Sequence, residues 1–210
     1  MTGQIVRIVD DDPSFLRAAS RLLRASGFTV KTFSSASKFL ADADMDAPGC
    51  VVTDMQMPGM SGLELQAALA RSVHPMPILF LTGHADIPTS VRAMRAGAED
   101  FLEKNAPKEE LLGAVKRALD RDMREREEHA RQGELLARFA LLTQREMEVL
   151  AHVVRGRLNK QIAWDLKIHE RTVKLHRTAI TTKLKVQSVA ELTRLTDEAG
   201  ILKASEPNLP

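Results

Sequence analysis

Four short apolar runs in this 210-residue chain lead into side chains that could act on phosphate or hold a metal. Ile5–Val9 runs into Asp10-Asp11-Asp12, Cys50–Thr53 into Asp54, Pro77–Leu81 into Thr82, and Phe101-Leu102 leads on to Lys104. Taken singly, each group is also what an ordinary solvated turn contains. Their combination, in chain order, is more specific. Carboxylates brought together repel one another and raise one another's pKa unless a cation relieves them. A hard divalent ion with oxygen ligands does so, and Mg²⁺ (or Mn²⁺) suits because it leaves positions for phosphate oxygens. A carboxylate beside such a metal can attack phosphorus and become an aspartyl-phosphate. Asp54 is the candidate nucleophile, while Lys104 and the Thr82 hydroxyl could neutralise and hydrogen-bond the incoming phosphoryl oxygens.

The groups meet only if the runs are strands of one parallel sheet, since sites in such sheets lie at the carboxyl ends of the strands. The first hundred residues support this. Strand-like runs at Ile5–Val9, Phe28–Phe33, Cys50–Thr53, Pro77–Leu81 and Phe101-Leu102 alternate with helical spacing at Phe15, Ala18, Leu22 and Leu23 and again at Val91, Met94 and Ala98. Strand–helix alternation predicts an α/β domain with its sheet covered on both faces. From Lys108 the pattern is helical. Leu111, Leu112, Val115 and Leu119 mark an apolar face, which lapses through the mixed-charge run Arg121–Arg131. We assign 1–120 to the first domain and 121–141 to a helical linker, with a coiled-coil extension as the alternative.

Residues 142–200 read as an all-α domain of four helices, followed by a flexible tail over 201–210. Thr143-Gln144-Arg145-Glu146 is a capping box, Gly156 ends that helix, Asn159 is placed to cap the next, and Ser188 to cap the last. A short helix, a tight turn through Ile168 and His169, and a longer helix over about 170–184 describe a helix-turn-helix. The longer helix carries Arg171, Lys174, His176, Arg177 and Lys183, with Val173, Ile180 and Leu184 turned inward. Residues 1–105 hold 10 Lys and Arg against 12 Asp and Glu, whereas residues 143–210 hold 12 against 8, so an acidic partner such as DNA belongs with the C-terminal part. Trp164 is expected to pack between helices rather than to stack on nucleic acid.

These residues carry a resemblance. Val9-Asp10-Asp11-Asp12, Thr53–Gly62, Leu81-Thr82-Gly83-His84 and Ala96–Lys104 resemble receiver domains of two-component systems over roughly residues 4–120. Leu142–Glu146, Asn159–Ala163, Thr172–Arg177, Lys183–Val186 and Ser188 are similar to the LuxR-type module of NarL/FixJ regulators over about 140–199. The resemblance implies a flavodoxin-like doubly wound receiver whose Asp54 accepts phosphate from a sensor histidine kinase. It further implies that Asp10, Asp11, Asp54 and the backbone carbonyl of Gln56 hold the metal, Asp12 being peripheral, and that Thr82 and Phe101 relay phosphorylation to a distant surface. One step departs from the family: Asn105, not proline, follows Lys104. Lys174, Leu175 and Thr178 would face bases. Asn159, Lys160, Arg171, Thr172, His176 and Lys183 would position phosphates. Some relatives have lysine where Thr178 stands, so their target sequences are not transferred. The partners implied are the kinase, double-stranded promoter DNA, RNA polymerase and, on phosphorylation, a second copy pairing through the helix over 87–97 and the strand near Phe101.

Rival readings leave traces that can be sought. A phosphatase using Asp54 wants a carboxylate two residues later as acid/base, where this chain has Gln56; the expectation is therefore a non-enzyme with at most slow loss of phosphate. An output module for single-stranded RNA wants aromatic stackers, but aromatics are 4% and tyrosine is absent. The single cysteine, Cys50, cannot form an internal disulfide, and no apolar run reaches the ~20 residues of a membrane helix, so a cytoplasmic setting without membrane contact is expected.

Overall fold

The computed structural model describes residues 3–42, 47–72, 74–83 and 87–201. His84 of the third motif, and the tail from 202 onward, lie outside the described residues. The chain divides into two compact units at Glu127–Glu128.

The first unit holds five parallel strands, β1 (Ile5–Val9), β2 (Thr29–Phe33), β3 (Gly49–Asp54), β4 (Ile78–Thr82) and β5 (Asp100–Glu103), in the order β2-β1-β3-β4-β5. The helices α1 (Pro13–Ala25), α2 (Ala36–Leu40), α3 (Gly62–Leu69), α4 (Ile87–Arg95) and the start of α5 (Lys108–Ala140) connect or cover them. The near-continuous apolar strands follow from burial on both faces. Cys50, Val52, Leu79 and Leu81 meet α1 and α5 through Leu23, Val115 and Ala118. Their alternates Val51, Ile78 and Phe80 meet α2, α3 and α4 through Phe39, Leu65 and Ala93. Register pairs Val9 with Thr53 and Asp54 with Leu81, which brings the carboxyl ends of β1, β3 and β4 level. Glycine is required at Gly49, where a Cβ would stand 1.9 Å from the Ile5 carbonyl oxygen.

The second unit contains the last turns of α5 with α6 (Gln144–Val154), α7 (Asn159–Asp165), α8 (Glu170–Leu184) and α9 (Val189–Ala199). Leu135 and Phe139 of α5 join Val149, Leu150, Ile162, Val173, Ile180, Leu184 and Leu192 in its core. The Thr143–Glu146 capping box forms, and the Ser188 hydroxyl accepts the Glu191 N–H. Asn159 does not cap α7. It lies one residue inside the helix, where its Oδ1 accepts from Arg177 Nη1 at 2.8 Å, while Gln161 Oε1 accepts the Leu158 N–H at 2.9 Å. The guanidinium outcompetes the backbone for the amide oxygen.

Candidate functional site

Each acid at the strand ends is fixed by local chain chemistry. Asp10 follows β1 and is 1% exposed; its Oδ1 accepts the Asp12 N–H at 2.9 Å. Asp11 is exposed, and Asp12 caps α1 by accepting the Ser14 N–H at 2.7 Å, which occupies it away from the pocket. Asp54 ends β3 and accepts the Met55 N–H on Oδ1 at 2.8 Å. Carboxylate oxygens of Asp10, Asp11 and Asp54 lie within 4.8 Å of one another. Lys104 reaches them from beyond β5: its Nζ is 2.6 Å from Asp10 Oδ2, 3.2 Å from Asp54 Oδ2, and 4.7 Å from the centre of the Phe15 ring. The Lys104–Asn105 step does not misplace the lysine, because its N–H is held by the Thr82 carbonyl at 2.8 Å and the Ala106 N–H by Glu103 at 2.9 Å. No described peptide bond is cis. Thr82 is buried at the end of β4, and Gln56 is exposed. Gly62 closes the floor: a Cβ there would stand 2.4 Å from the Asp54 carbonyl oxygen and 2.9 Å from Phe80 Cε1.

Burial raises the Asp10 pKa, and the hydrogen bond from Lys104 opposes the rise without cancelling it. Burial alone would lower Lys104, but the hydrogen bond and charge of Asp10, then the charge of Asp54, hold its ammonium above the ordinary value. The pocket thus favours positive charge. Three carboxylate donors are the hard oxygen set that Mg²⁺ or Mn²⁺ takes, so the residues fit a divalent metal. Phe101 is half-buried, its ring 6.1 Å from that of Phe80. On α4, Ile87 is 80% exposed, and Val91 and Met94 are also exposed.

In the second unit α7 and α8 form the expected pair, joined by a turn in which Lys167 takes a left-handed φ of 52°. Arg171, Lys174, Leu175 and Thr178 are exposed on α8, with Lys174 3.6 Å from Glu170 one turn earlier. Thr172 and His176 are half-buried, Lys160 is exposed, and Asn159 is engaged with Arg177. Lys183 turns inward, its Nζ 2.7 and 3.0 Å from the carboxylate oxygens of buried Glu146.

Residues 6–116 match the family model for the response regulator receiver domain, and residues 140–196 that for bacterial regulatory proteins of the luxR family. The response regulator protein TodT of Pseudomonas putida is 46% identical over 195 residues, 93% of this chain and 86% of TodT. The transcriptional regulatory protein FixJ of Azorhizobium caulinodans is 41% identical over 203 residues, covering 96% and 95%. The solved structure of the response regulator StyR superposes with a TM-score of 0.86 at 45% identity, covering 94% of this chain and 100% of that one. The chain belongs to the response regulator family, of the NarL/FixJ type.

In this response regulator the receiver and the LuxR-type module correspond to the two units of the fold. No described helix is long and apolar enough to cross a membrane. As at Asn159, the geometry corrects an expectation at Trp164, which is 85% exposed on α7 and does not pack between helices. Its position was readable, since the inward stripe is Ile162, Ala163 and Leu166, and Trp164 lies about 200° round the helix from Ile162. Sequence reading also passed over Leu135 and Phe139, and over Asp122, whose buried carboxylate accepts the Gly49 N–H at 2.8 Å and pairs with Arg126 at 2.9 Å. The spacing Leu135–Phe139 is a helical signal; the Asp122 contact spans 73 residues and leaves no local trace.

Proposed function

We propose that Asp54 takes a phosphoryl group from a phosphohistidine of a sensor kinase, and that the phosphorylated chain pairs and binds promoter DNA through α8. The observation that carries this is the Asp54 carboxylate set beside Asp10 and the Lys104 ammonium, in a chain whose other unit is a basic helix-turn-helix. An Asp54 carboxylate oxygen forms the new O–P bond as the N–P bond breaks, and the electron pair stays with the imidazole, which takes up a proton. Asp10, Asp11, Asp54 and the Gln56 carbonyl would hold Mg²⁺ or Mn²⁺, which supplies positive charge for the phosphoryl oxygens. Lys104 adds a second positive charge from the β5 side, and the Thr82 hydroxyl hydrogen-bonds a phosphoryl oxygen.

With an exposed amide at Gln56 rather than a carboxylate, Asp54 lacks a general base two residues on. Phosphate is therefore held as a timed mark, and the chain is not a metabolic enzyme. Movement of Thr82 toward the phosphoryl group gives Phe101 room to turn inward, changing the face formed by β5 and α4. Exposed Ile87, Val91 and Met94 supply apolar area for pairing two copies there. On DNA, Lys174 donates to guanine acceptors, Leu175 meets a thymine methyl, and Thr178 lies one turn on from Lys174. Asn159, Lys160, Arg171, Thr172 and His176 hold phosphates, and RNA polymerase is the protein partner recruited or blocked. The test is genome-wide mapping of bound DNA in wild type and Asp54→Asn. Weaker promoter occupancy is expected in the mutant; equal occupancy with equal transcription refutes phosphate control.

A further inference from the structure

We propose that the groove between α7 and the turn preceding α8, centred on Trp164, seats the sugar–phosphate backbone of DNA flanking the bases that α8 reads. The inference rests on the DNA-binding reading above and enlarges its footprint. The groove, of about 650 Å³, is lined by Lys160, Ala163, Trp164, Lys167, Ile168 and His169. The indole is 85% exposed, so little of its area is buried within its own unit, and it stands among the cationic side chains of Lys160 and Lys167 that line the groove.

The wall is preformed. The Lys167 N–H is held by the Trp164 carbonyl at 3.2 Å and the Ile168 N–H by Ala163 at 3.0 Å, with Lys167 in the left-handed conformation between them. Half-buried Ile168 packs against the core of the unit, so the turn cannot swing freely. None of the residues lining the groove is acidic, and Asp165, the one carboxylate on α7, lies 3.6 Å from His152 instead. The rim therefore complements a polyanion.

Continuity selects DNA as that polyanion. Lys160, one helical turn before Trp164, is already a phosphate-positioning residue. At the other end His169 precedes α8 by one residue, followed by Arg171 and Thr172. A backbone strand held at both ends crosses the indole. The flat ring packs on deoxyribose, a contact indifferent to sequence, while Lys167 and Lys160 neutralise the phosphates on either side.

Trp164 is the only tryptophan and tyrosine is absent, so its fluorescence reports this groove alone, against a silent DNA background. The full-length phosphorylated protein is titrated with a duplex carrying a mapped promoter site, and with an unrelated duplex of equal length. Acrylamide serves as the quencher because, being neutral, it is not repelled by DNA. Binding is expected to shield Trp164 from acrylamide on both duplexes. Trp164→Ala is expected to bind both about tenfold more weakly, the equivalent of ~1.4 kcal/mol, with an unchanged salt slope, and Trp164→Phe to recover most of the loss. Lys167→Gln is expected to make the slope of log K against log salt shallower by about 0.9. Because both side chains are exposed, thermal unfolding should match the parent. An indole that stays open to acrylamide on bound duplex overturns the inference, leaving the groove to a protein partner, as does Trp164→Ala with parental affinity. If the wild type binds neither duplex, the DNA-binding reading itself fails, visibly and separately.

Discussion

Lys183 separates a structural role from a DNA-binding one, and replacing it by methionine decides between them. Its ammonium is 2.7 and 3.0 Å from the oxygens of Glu146, which is 5% exposed and also accepts the Thr143 N–H at 2.7 Å. Lys183→Met keeps the stem and removes the charge, leaving Glu146 Oε1 without its donor. Breaking a fully buried pair by removing one partner costs ~3–5 kcal/mol. Here the Lys183 side chain is 33% exposed, so water re-enters and the Thr143 bond survives. A loss of about 2 kcal/mol is expected, between that limit and the ~0–1 kcal/mol of an exposed pair. Chemical denaturation of the second unit, followed by circular dichroism, reads this directly. Adding Glu146→Gln should restore much of the stability, because the carboxylate is then no longer buried without a counter-charge. A Lys183→Met protein within about 0.5 kcal/mol of the parent, with a DNA-binding salt slope shallower by about 0.9, would refute the assignment and return Lys183 to a phosphate.

The same pair fixes a pH dependence. The hydrogen bond from Lys183, then that from the Thr143 N–H, holds Glu146 below the ordinary carboxylate value in the folded state. Its stabilisation is therefore fully present above the unfolded pKa of about 4.3 and is lost as pH falls through the lowered folded value. In Lys183→Met this acid-side loss should shrink, which an acid titration of stability can check.

Two further substitutions probe the units separately. Gly62→Ala forces a Cβ to 2.4 Å from the Asp54 carbonyl oxygen, a backbone atom that cannot swing aside; the receiver should lose about 1–3 kcal/mol and take up phosphate more slowly from a small-molecule donor. Parental uptake and stability would mean that the close approach is easily relaxed. Phe139→Ala removes a ring that is buried in the second unit and should cost that unit ~3–5 kcal/mol while leaving phosphorylation at Asp54 intact. A second unit of unchanged stability would mean that the Phe139 ring does not contribute to its core.

What was legible in the sequence was local or periodic. The strand ends were visible because strands buried on both faces are uninterrupted apolar runs, and Asp10, Asp54, Thr82 and Lys104 stand where those runs stop. The capping boxes were visible because donor and acceptor are three residues apart, and Ser61–Glu64, which opens α3, carried the same signal unused. Asn159 looked like a cap for the same reason, but its partner is Arg177, 18 residues away. Lys183 looked free to meet DNA because Glu146 is 37 residues distant. Short-range chemistry proposes a partner for each polar side chain, and the fold decides among the candidates by burial: Glu146 needs a cation inside the unit more than solvated phosphate needs one outside it.

The stretch read as a linker makes the same point from the apolar side. Its periodicity lapses after Met123 because residues 123–131 have no core to face, being largely exposed. The helix continues nonetheless, with Arg121–Glu125, Asp122–Arg126, Glu128–Arg131 and Glu134–Arg138 paired at helical spacing. The exposed pairs among these, unlike that of buried Asp122, add little individually. The helix is secured at its two buried ends instead, by Leu119 and Asp122 in the first unit and by Leu135 and Phe139 in the second. Between those ends the helix is held mainly by its own backbone hydrogen bonds and side-chain pairs, with Arg131 also pairing with Glu198 of α9, so charge patterning there reports helix formation rather than burial. A hydrophobic pattern alone cannot distinguish such a segment from coil, whereas oppositely charged residues three and four apart can.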